Sequence, residues 1–181
     1  MGSEARSKAV LLRWLALGIA AAGVVLLAVV VVLALDLGGT FAQKTGEILM
    51  PEQIASFPLT RKTTGTQAIS ELAQMHGRDF PFVSGAIGLY GAGEQATLWI
   101  SGLALTAEAE QMVIDMRDRI AAGNSPFQPL DSWQDGERTV YELEGLSQRH
   151  YYFQSDRLVV WLAVEPVSAV GAISEILSFY P

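Results

Sequence analysis

The side chains best suited to chemistry in this sequence are His76 and His150, with Asp79 and Arg149 near them along the chain. They are the only candidates for an acid–base site or for a mixed histidine–carboxylate metal site. Structural roles explain both histidines. His76 lies in the last turn of a predicted helix, where a cation interacts favourably with the helix dipole. His150 begins a predicted strand in a polar and aromatic cluster with Arg149 and Tyr152. The sequence therefore predicts no catalytic residue, no metal ligand and no cofactor.

Glycines and serines elsewhere in the chain do not form an enzyme motif. Four closely spaced glycines resemble a dinucleotide-binding loop, namely Gly85, Gly88, Gly91 and Gly93. That motif needs a helix that begins inside it, whereas a second strand is predicted here, so we expect a hairpin whose small residues lie under a helix. Ser84 and Ser101 each precede a glycine but lack the nucleophile elbow of α/β-hydrolases.

Helix and strand patterns predict the elements that position these residues. Helices are expected after Thr64, from Thr106 to about residue 123, and after Pro166, where Val170, Ile173 and Ile176 or Leu177 would be buried. Strands are expected over residues 82–90, 95–100, 139–144, 150–154 and 158–164, with a loop over 124–136. Because regular β-α-β alternation is missing, we expect a two-layer α+β domain, with an antiparallel sheet and about three helices on one face. In the last hairpin both the odd and the even positions of the strands are apolar, which indicates that both of its faces are covered.

Residues 14–35 carry no charged side chain and predict a transmembrane helix. At ~1.5 Å per residue this segment is about 33 Å long, and a bilayer core is ~30 Å thick. Arg6, Lys8 and Arg13 precede the segment, so the positive-inside rule predicts a cytoplasmic N-terminus. Trp14 and Leu35 bound the anchor at the two membrane interfaces.

Within the anchor, Gly18 and Ala22 form a small-residue pair that suits packing against another helix. A cleaved signal peptide is the alternative interpretation, with Thr40-Phe41-Ala42 as its cleavage site, but its apolar core is usually ~7–15 residues long. The predicted organisation is a cytoplasmic tail (1–13), the anchor (14–35), a stalk (36–63), in which residues 47–50 dock on the domain, and an extracytoplasmic domain (64–181).

Composition restricts the partners and the compartment. The net charge of −7 and the pI of 4.8 argue against nucleic-acid binding, which needs a basic surface. The absence of cysteine excludes disulfides, zinc ribbons and cysteine nucleophiles. Asn124 is followed by Ser125 and Pro126, so the chain has no N-glycosylation sequon. These absences favour a bacterial plasma membrane with the domain in the periplasm or outside the cell.

Four segments carry a resemblance to a known group of proteins: residues 57–60 (FPLT), 75–77 (MHG), 123–127 (GNSPF) and 145–153 (GLSQRHYYF). Through them, most of residues 50–181 resembles uncharacterised bacterial membrane-anchored extracytoplasmic α+β domain proteins. The resemblance implies bacterial origin and placement, and it implies no activity.

Three hypotheses for the function follow. The first is an exported, non-catalytic domain that serves as an accessory or assembly subunit of a membrane complex, with other membrane subunits and the bilayer as partners. The second is a membrane-tethered sensor or small-ligand-binding domain. The third is an enzyme built from the two histidines, Arg149 and Asp79. Edge aromatics suit a binding face, and the predicted ligand or partner contacts are Tyr90, Arg149, His150, Tyr152 and Trp161.

Overall fold

The computed structural model of this protein describes residues 48–76, 81–123 and 125–181. In these ranges the chain forms an antiparallel sheet of eight strands and three α-helices. The elements in order are β1 (Gln53–Ile54), β2 (Phe57–Thr64), α1 (Gly65–His76), β3 (Ser84–Tyr90), β4 (Ala96–Gly102), α2 (Thr106–Ala121), β5 (Gln128–Asp135), β6 (Arg138–Gly145), β7 (Gln148–Ser155), β8 (Leu158–Val164), a 3₁₀ turn (Pro166–Ser168) and α3 (Ala169–Phe179). The predicted α+β class and antiparallel sheet are confirmed.

Two antiparallel meanders meet at the centre of the sheet. The strand order is β1-β2-β3-β4-β8-β7-β6-β5, so β4 pairs with β8 and not with its successor in the chain. Trp99 on β4 lies opposite Trp161 on β8, and Trp161 lies opposite Tyr152 on β7. Helix α2 follows β4 and contacts β8, β7 and β5, carrying the chain across the second meander to the far edge of the sheet.

The helices cover both faces of the sheet, so the prediction that they share one face is wrong. Helix α3 packs in the cluster that holds Leu98 and Val160, whereas α1 and α2 pack in the cluster that holds Val159, with Trp99 and Trp161 against it. Neighbouring residues of a strand point to opposite faces, and here both faces of the central strands are apolar. Each face therefore has to be buried, as the pattern of the last hairpin predicted.

Two segments predicted as irregular are strands. Residues 53–54 of the predicted stalk form β1, residues 57–63 form all but the last residue of β2, and Ile48 is buried in the core. Residues 128–135 of the predicted loop form β5. Both β2 and β5 lie toward sheet edges and are largely exposed. Polar residues and proline are typical of strands near a sheet edge. Strands β2 and β5 therefore lack the alternation of apolar and polar residues that identifies a half-buried strand.

Helix α3 buries a different stripe from the one predicted. Val170 is 82% exposed, whereas Ala169, Ala172, Ile173 and Ile176 are buried. The two alanines lie where the helix approaches the sheet, and small side chains permit this approach. Ranking residues by hydrophobicity alone favoured Val170, and this part of the prediction is wrong.

Gly85 confirms the prediction of small residues under a helix. A Cβ atom on Gly85 would lie 3.1 Å from the backbone nitrogen of Ile69 and 2.8 Å from Cδ1 of Leu72, both on α1. Strand β3 can therefore pack against the backbone of α1 only because residue 85 has no side chain.

Among the described residues, no helix is long and apolar enough to cross a membrane. The predicted anchor, with Trp14, Gly18, Ala22 and Leu35, lies outside the described residues, as does the cytoplasmic tail.

Candidate functional site

A cleft of about 410 Å³ opens between α1 and α2 above the sheet. Trp99, Val159 and Trp161 form its floor on β4 and β8. Leucine, isoleucine and methionine side chains of the two helices form its walls, and residues of the 125–127 segment and the β6–β7 turn lie at its rim. The lining residues are Leu72, Met75, His76, Trp99, Ser101, Met112, Met116, Arg119, Ile120, Ser125, Pro126, Phe127, Leu146, Gln148, His150, Val159 and Trp161. We refer to this site as the α1–α2 cleft.

His150 is held by hydrogen bonds at both ring nitrogens. Trp161 Nε1 lies 3.1 Å from His150 Nδ1, and His150 Nε2 lies 3.0 Å from the carbonyl oxygen of Gly145. Since an indole nitrogen only donates and a carbonyl only accepts, Nδ1 carries no proton and Nε2 carries one. The geometry therefore fixes a neutral imidazole in one tautomer. The Phe127 ring packs on both groups, with centroids 4.6 Å from His150 and 5.1 Å from Trp161.

This arrangement makes His150 unsuitable as a metal ligand or general base. Burial lowers its pKa below the ordinary value, and the hydrogen bond to Gly145 opposes that shift only in part. Its one lone pair in the imidazole plane, on Nδ1, already accepts a hydrogen bond from Trp161. Within the described ranges, no group of three or more potential ligand residues could hold a metal ion. The role of His150 is to orient Trp161 and Phe127.

Tyr152 belongs to a stack of rings that extends sideways across the sheet from the floor of the cleft. Its ring lies parallel to Trp161 at 5.2 Å and to Tyr141 at 4.8 Å. Tyr152 is only 1% exposed, and burial raises its pKa far above the ordinary value. The stack fixes the indole plane of Trp161, so Tyr152 supports the floor of the cleft without lining it.

The other two predicted contacts lie on the opposite face of the sheet. Tyr90 is fully buried there, and its hydroxyl donates to the carbonyl oxygen of Pro51 at 3.1 Å. Arg149 forms an ion pair with Glu142 at 3.0 Å, and Tyr151 donates to the same carboxylate at 3.3 Å. Burial, more than the neighbouring carboxylate, raises the pKa of Tyr151 to about 12. The structure thus brings together His150, Tyr152 and Trp161, and it separates Tyr90 and Arg149 from them.

The four residues of the enzyme hypothesis do not form one site in the described part of the chain. His76 and His150 both line the α1–α2 cleft, whereas Arg149 extends from the other face of the sheet. Asp79 lies outside the described residues.

The methionines and the rim of the cleft were not predicted as parts of a site. Met112 and Met116 fit the helical stripe of α2, a pattern that predicts burial in the core and gives no sign of a cleft. Gly145 is the one residue that could have indicated close packing at this point. A Cβ atom on Gly145 would lie 2.6 Å from Cδ1 of the Phe127 ring. Leu146, the residue after Gly145, is 71% exposed at the rim. Leu146 and Ser147 occupy the two positive-φ positions of this turn, and neither residue type is typical there, so no turn pattern in the sequence indicated the rim.

Acid should destabilise this site through His150. Because its folded-state pKa is lowered, the unfolded chain binds the proton more readily, so stability is complete above about pH 6.5 and falls as the pH drops below that value. The slope contributed by one such group reaches at most ~1.4 kcal/mol per pH unit. We expect urea unfolding between pH 7.5 and 5 to show a shallower pH dependence in His150→Gln than in the wild type. Equal slopes in the two proteins would contradict this assignment.

Comparison of the chain with protein-family models, with curated proteins and with solved structures finds no match.

Proposed function

We propose that this chain is a single-pass protein of a bacterial plasma membrane whose exported domain binds and does not catalyse. Residues 14–35 anchor it, residues 1–13 lie in the cytoplasm, and the domain lies in the periplasm or outside the cell. Its function is that of an accessory or assembly subunit of a membrane protein complex. The apolar length of the anchor and the cations before it support the topology.

The exposed surface of α3 supports the proposal that the domain binds another protein. Val167 and Val170 are 89% and 82% exposed, beside Gly171 and Ser174 on the same side of the helix. The only charged residue from Pro166 to the end of the given sequence is Glu175, and its carboxylate accepts a hydrogen bond from the backbone of Ala55 at 2.7 Å. The α3 surface, defined by Val167, Val170, Gly171 and Ser174, therefore has no charged side chain of its own on an acidic protein, and the neighbouring Glu175 carboxylate is held by Ala55.

Charge decides what kind of partner fits the α3 surface. Interface cores are depleted of charged residues, because a charge without a partner is costly to desolvate. Elsewhere the acidic domain repels other acidic surfaces, but the α3 surface offers no charge to desolvate or repel. We infer that it contacts an apolar surface on an exported segment of another membrane subunit.

The test is co-purification from native membranes with the double variant Val167→Glu/Val170→Glu. Both side chains already face solvent, so the fold should survive, while two buried carboxylates should abolish the complex. Leu105→Glu is the matched control, because Leu105 is a 60% exposed apolar residue at the start of α2, away from α3. We expect this control to retain the partner. A lone monomer in the wild type, or equal recovery of the partner in all three proteins, would refute the proposal.

The α1–α2 cleft favours a second candidate function, that of a membrane-tethered ligand-binding domain. Its volume of about 410 Å³ falls within the range of small-molecule sites, ~300–1,000 Å³, and apolar and aromatic side chains dominate its lining. The two candidates use opposite faces of the sheet, so one protein can perform both.

A further inference from the structure

The floor of the α1–α2 cleft presents mostly carbon atoms, from the rings of Trp99 and Trp161 and the side chain of Val159. The indole N–H of Trp161 is already bonded to His150. No buried side-chain polar atom among the described residues lacks a hydrogen-bond partner. The walls contribute Met75, Met112 and Met116, whose unbranched, polarisable side chains adapt to irregular apolar shapes. Such a floor suits an alkyl chain better than a sugar or a nucleotide.

The cleft also has an unusual charge balance. The protein has a net charge of −7, yet no aspartate or glutamate occurs among the described residues that line the cleft. Among the described lining residues, the one guanidinium group is that of Arg119. By contrast, a groove of about 700 Å³ on the other side of α1 includes Glu71 and Glu94 in its lining.

Arg119 differs from the other described arginines in having no carboxylate partner. Each of the other five forms an ion pair: Arg61 with Glu94, Arg117 with Asp118, Arg138 with Asp135, Arg149 with Glu142 and Arg157 with Asp156. No hydrogen bond or ion pair joins Arg119 to its surroundings in the described ranges. A guanidinium next to an apolar cleft binds carboxylate or phosphate oxygens in a bidentate manner.

The rim of the cleft shows local backbone strain. Leu146 and Ser147 form the two central positions of the β6–β7 turn with φ of +50° and +63°. Such turns favour asparagine and glycine, and the left-handed region is costly for a leucine. Strain of this kind persists at binding sites when it places a side chain usefully. Here it holds a large apolar side chain at the mouth of the cleft.

We propose that the α1–α2 cleft binds an amphipathic anion with one alkyl chain, the chain lying on Trp99 and Trp161 and the carboxylate or phosphate at Arg119. This inference rests on the second candidate function. At ~30 Å³ per water-sized group, the cleft of about 410 Å³ holds roughly 13 such groups, which fits a chain of about ten to twelve carbons with its headgroup. A free fatty acid and an anionic lysophospholipid share this chemistry.

Bromine quenching of tryptophan tests the proposal on the full-length protein in amphipol. The probes are 12-bromododecanoate, the uncharged 12-bromododecanol and a lysophosphatidylglycerol with a brominated chain. Bromine quenches at contact, so Trp99 and Trp161 should report binding directly when Trp14 and Trp133 are replaced by phenylalanine in every protein compared. We expect the carboxylate to bind at least about tenfold more tightly than the alcohol, because a charge-assisted hydrogen bond forms at Arg119. Tighter binding of the free acid or of the lysolipid identifies the source of the ligand.

Arg119→Gln should remove the preference for the anion, whereas Arg117→Gln should retain it. The control makes the same charge change two residues away, on a side chain that is paired with Asp118 and does not line the cleft. Leu146→Asn gives an independent readout: it should weaken binding of the chain and raise the midpoint of thermal unfolding, since asparagine tolerates the left-handed conformation.

Each outcome has a separate meaning. Equal binding of acid and alcohol, or an anion preference that survives Arg119→Gln, would overturn the proposed ligand class while leaving a ligand-binding domain in place. No quenching by any probe would overturn both the ligand class and the second candidate function.

Discussion

Arginine at both Val25 and Leu26 should release this protein from the membrane. The thirteen leucine, valine and isoleucine residues of segment 14–35 favour insertion by about 4–8 kcal/mol at roughly 0.3–0.6 kcal/mol each. Each central arginine costs ~2.5–3.5 kcal/mol and also removes one favourable residue, so the pair costs about 6–8 kcal/mol. The substitution therefore offsets nearly the whole driving force. Carbonate extraction should leave the wild type in the pellet and the variant in the supernatant.

The conservative exchange Val25→Leu/Leu26→Val separates charge from the change of residue. It keeps the segment apolar, so this control should remain in the carbonate-resistant fraction. Protease added to spheroplasts should degrade the domain of the wild type from outside. A double-arginine variant that stays in the pellet would contradict anchoring by residues 14–35. A mature N-terminus near Gln43 would instead favour the signal-peptide alternative.

The fold class could be predicted because strong local signals mark its central elements. The last hairpin is apolar at consecutive positions, and α2 has a clear helical stripe. Strands β2 and β5 could not be identified in this way, because a strand near a sheet edge needs a pairing partner but little burial. Residues such as Pro129 and Asp131 are therefore compatible with β5, although they give no apolar alternation. The same apolar runs also imply that helices cover both faces of the sheet. The prediction of cover on both faces was limited to the last hairpin, and all the helices were still expected on one face.

The candidate site was predictable only in part, because it depends on which aromatic rings are covered. Tyr90 and Trp161 have similar strand contexts in the sequence, yet Tyr90 faces α3 and Trp161 faces the cleft. The difference depends on which face of the sheet each residue points to, and on which helices cover that face. Phe127 and Leu146 reach the cleft from the loops that flank β5, β6 and β7, and long-range packing of this kind leaves no periodic pattern.

Arg138 should prove to be the most costly arginine to replace. It connects the β5–β6 hairpin to the end of α3: Nη2 donates to the carbonyl oxygen of Leu177 at 2.8 Å and to Asp135 at 2.7 Å. Nη1 donates to the carbonyl oxygen of Tyr180, and the guanidinium lies 4.8 Å from the centroid of the Phe153 ring. The side chain is only 15% exposed. One planar group thus satisfies two carbonyls at the end of a helix and one carboxylate.

Arg138→Lys keeps the charge but cannot reproduce this fork, so at least one buried carbonyl loses its donor. We expect the free energy of unfolding to fall by about 2–4 kcal/mol in urea titrations, from lost charge-assisted hydrogen bonds and unsatisfied acceptors. Arg61→Lys is the matched control, because Arg61 forms a 3.5 Å ion pair with Glu94 in which both side chains are mostly exposed. It should cost less than ~1 kcal/mol. Since the α3 surface depends on this attachment, Arg138→Lys should also speed hydrogen exchange in α3 and weaken recovery of the proposed membrane partner. Similar losses of stability in the two variants would show that the carbonyls at the end of α3 find other donors.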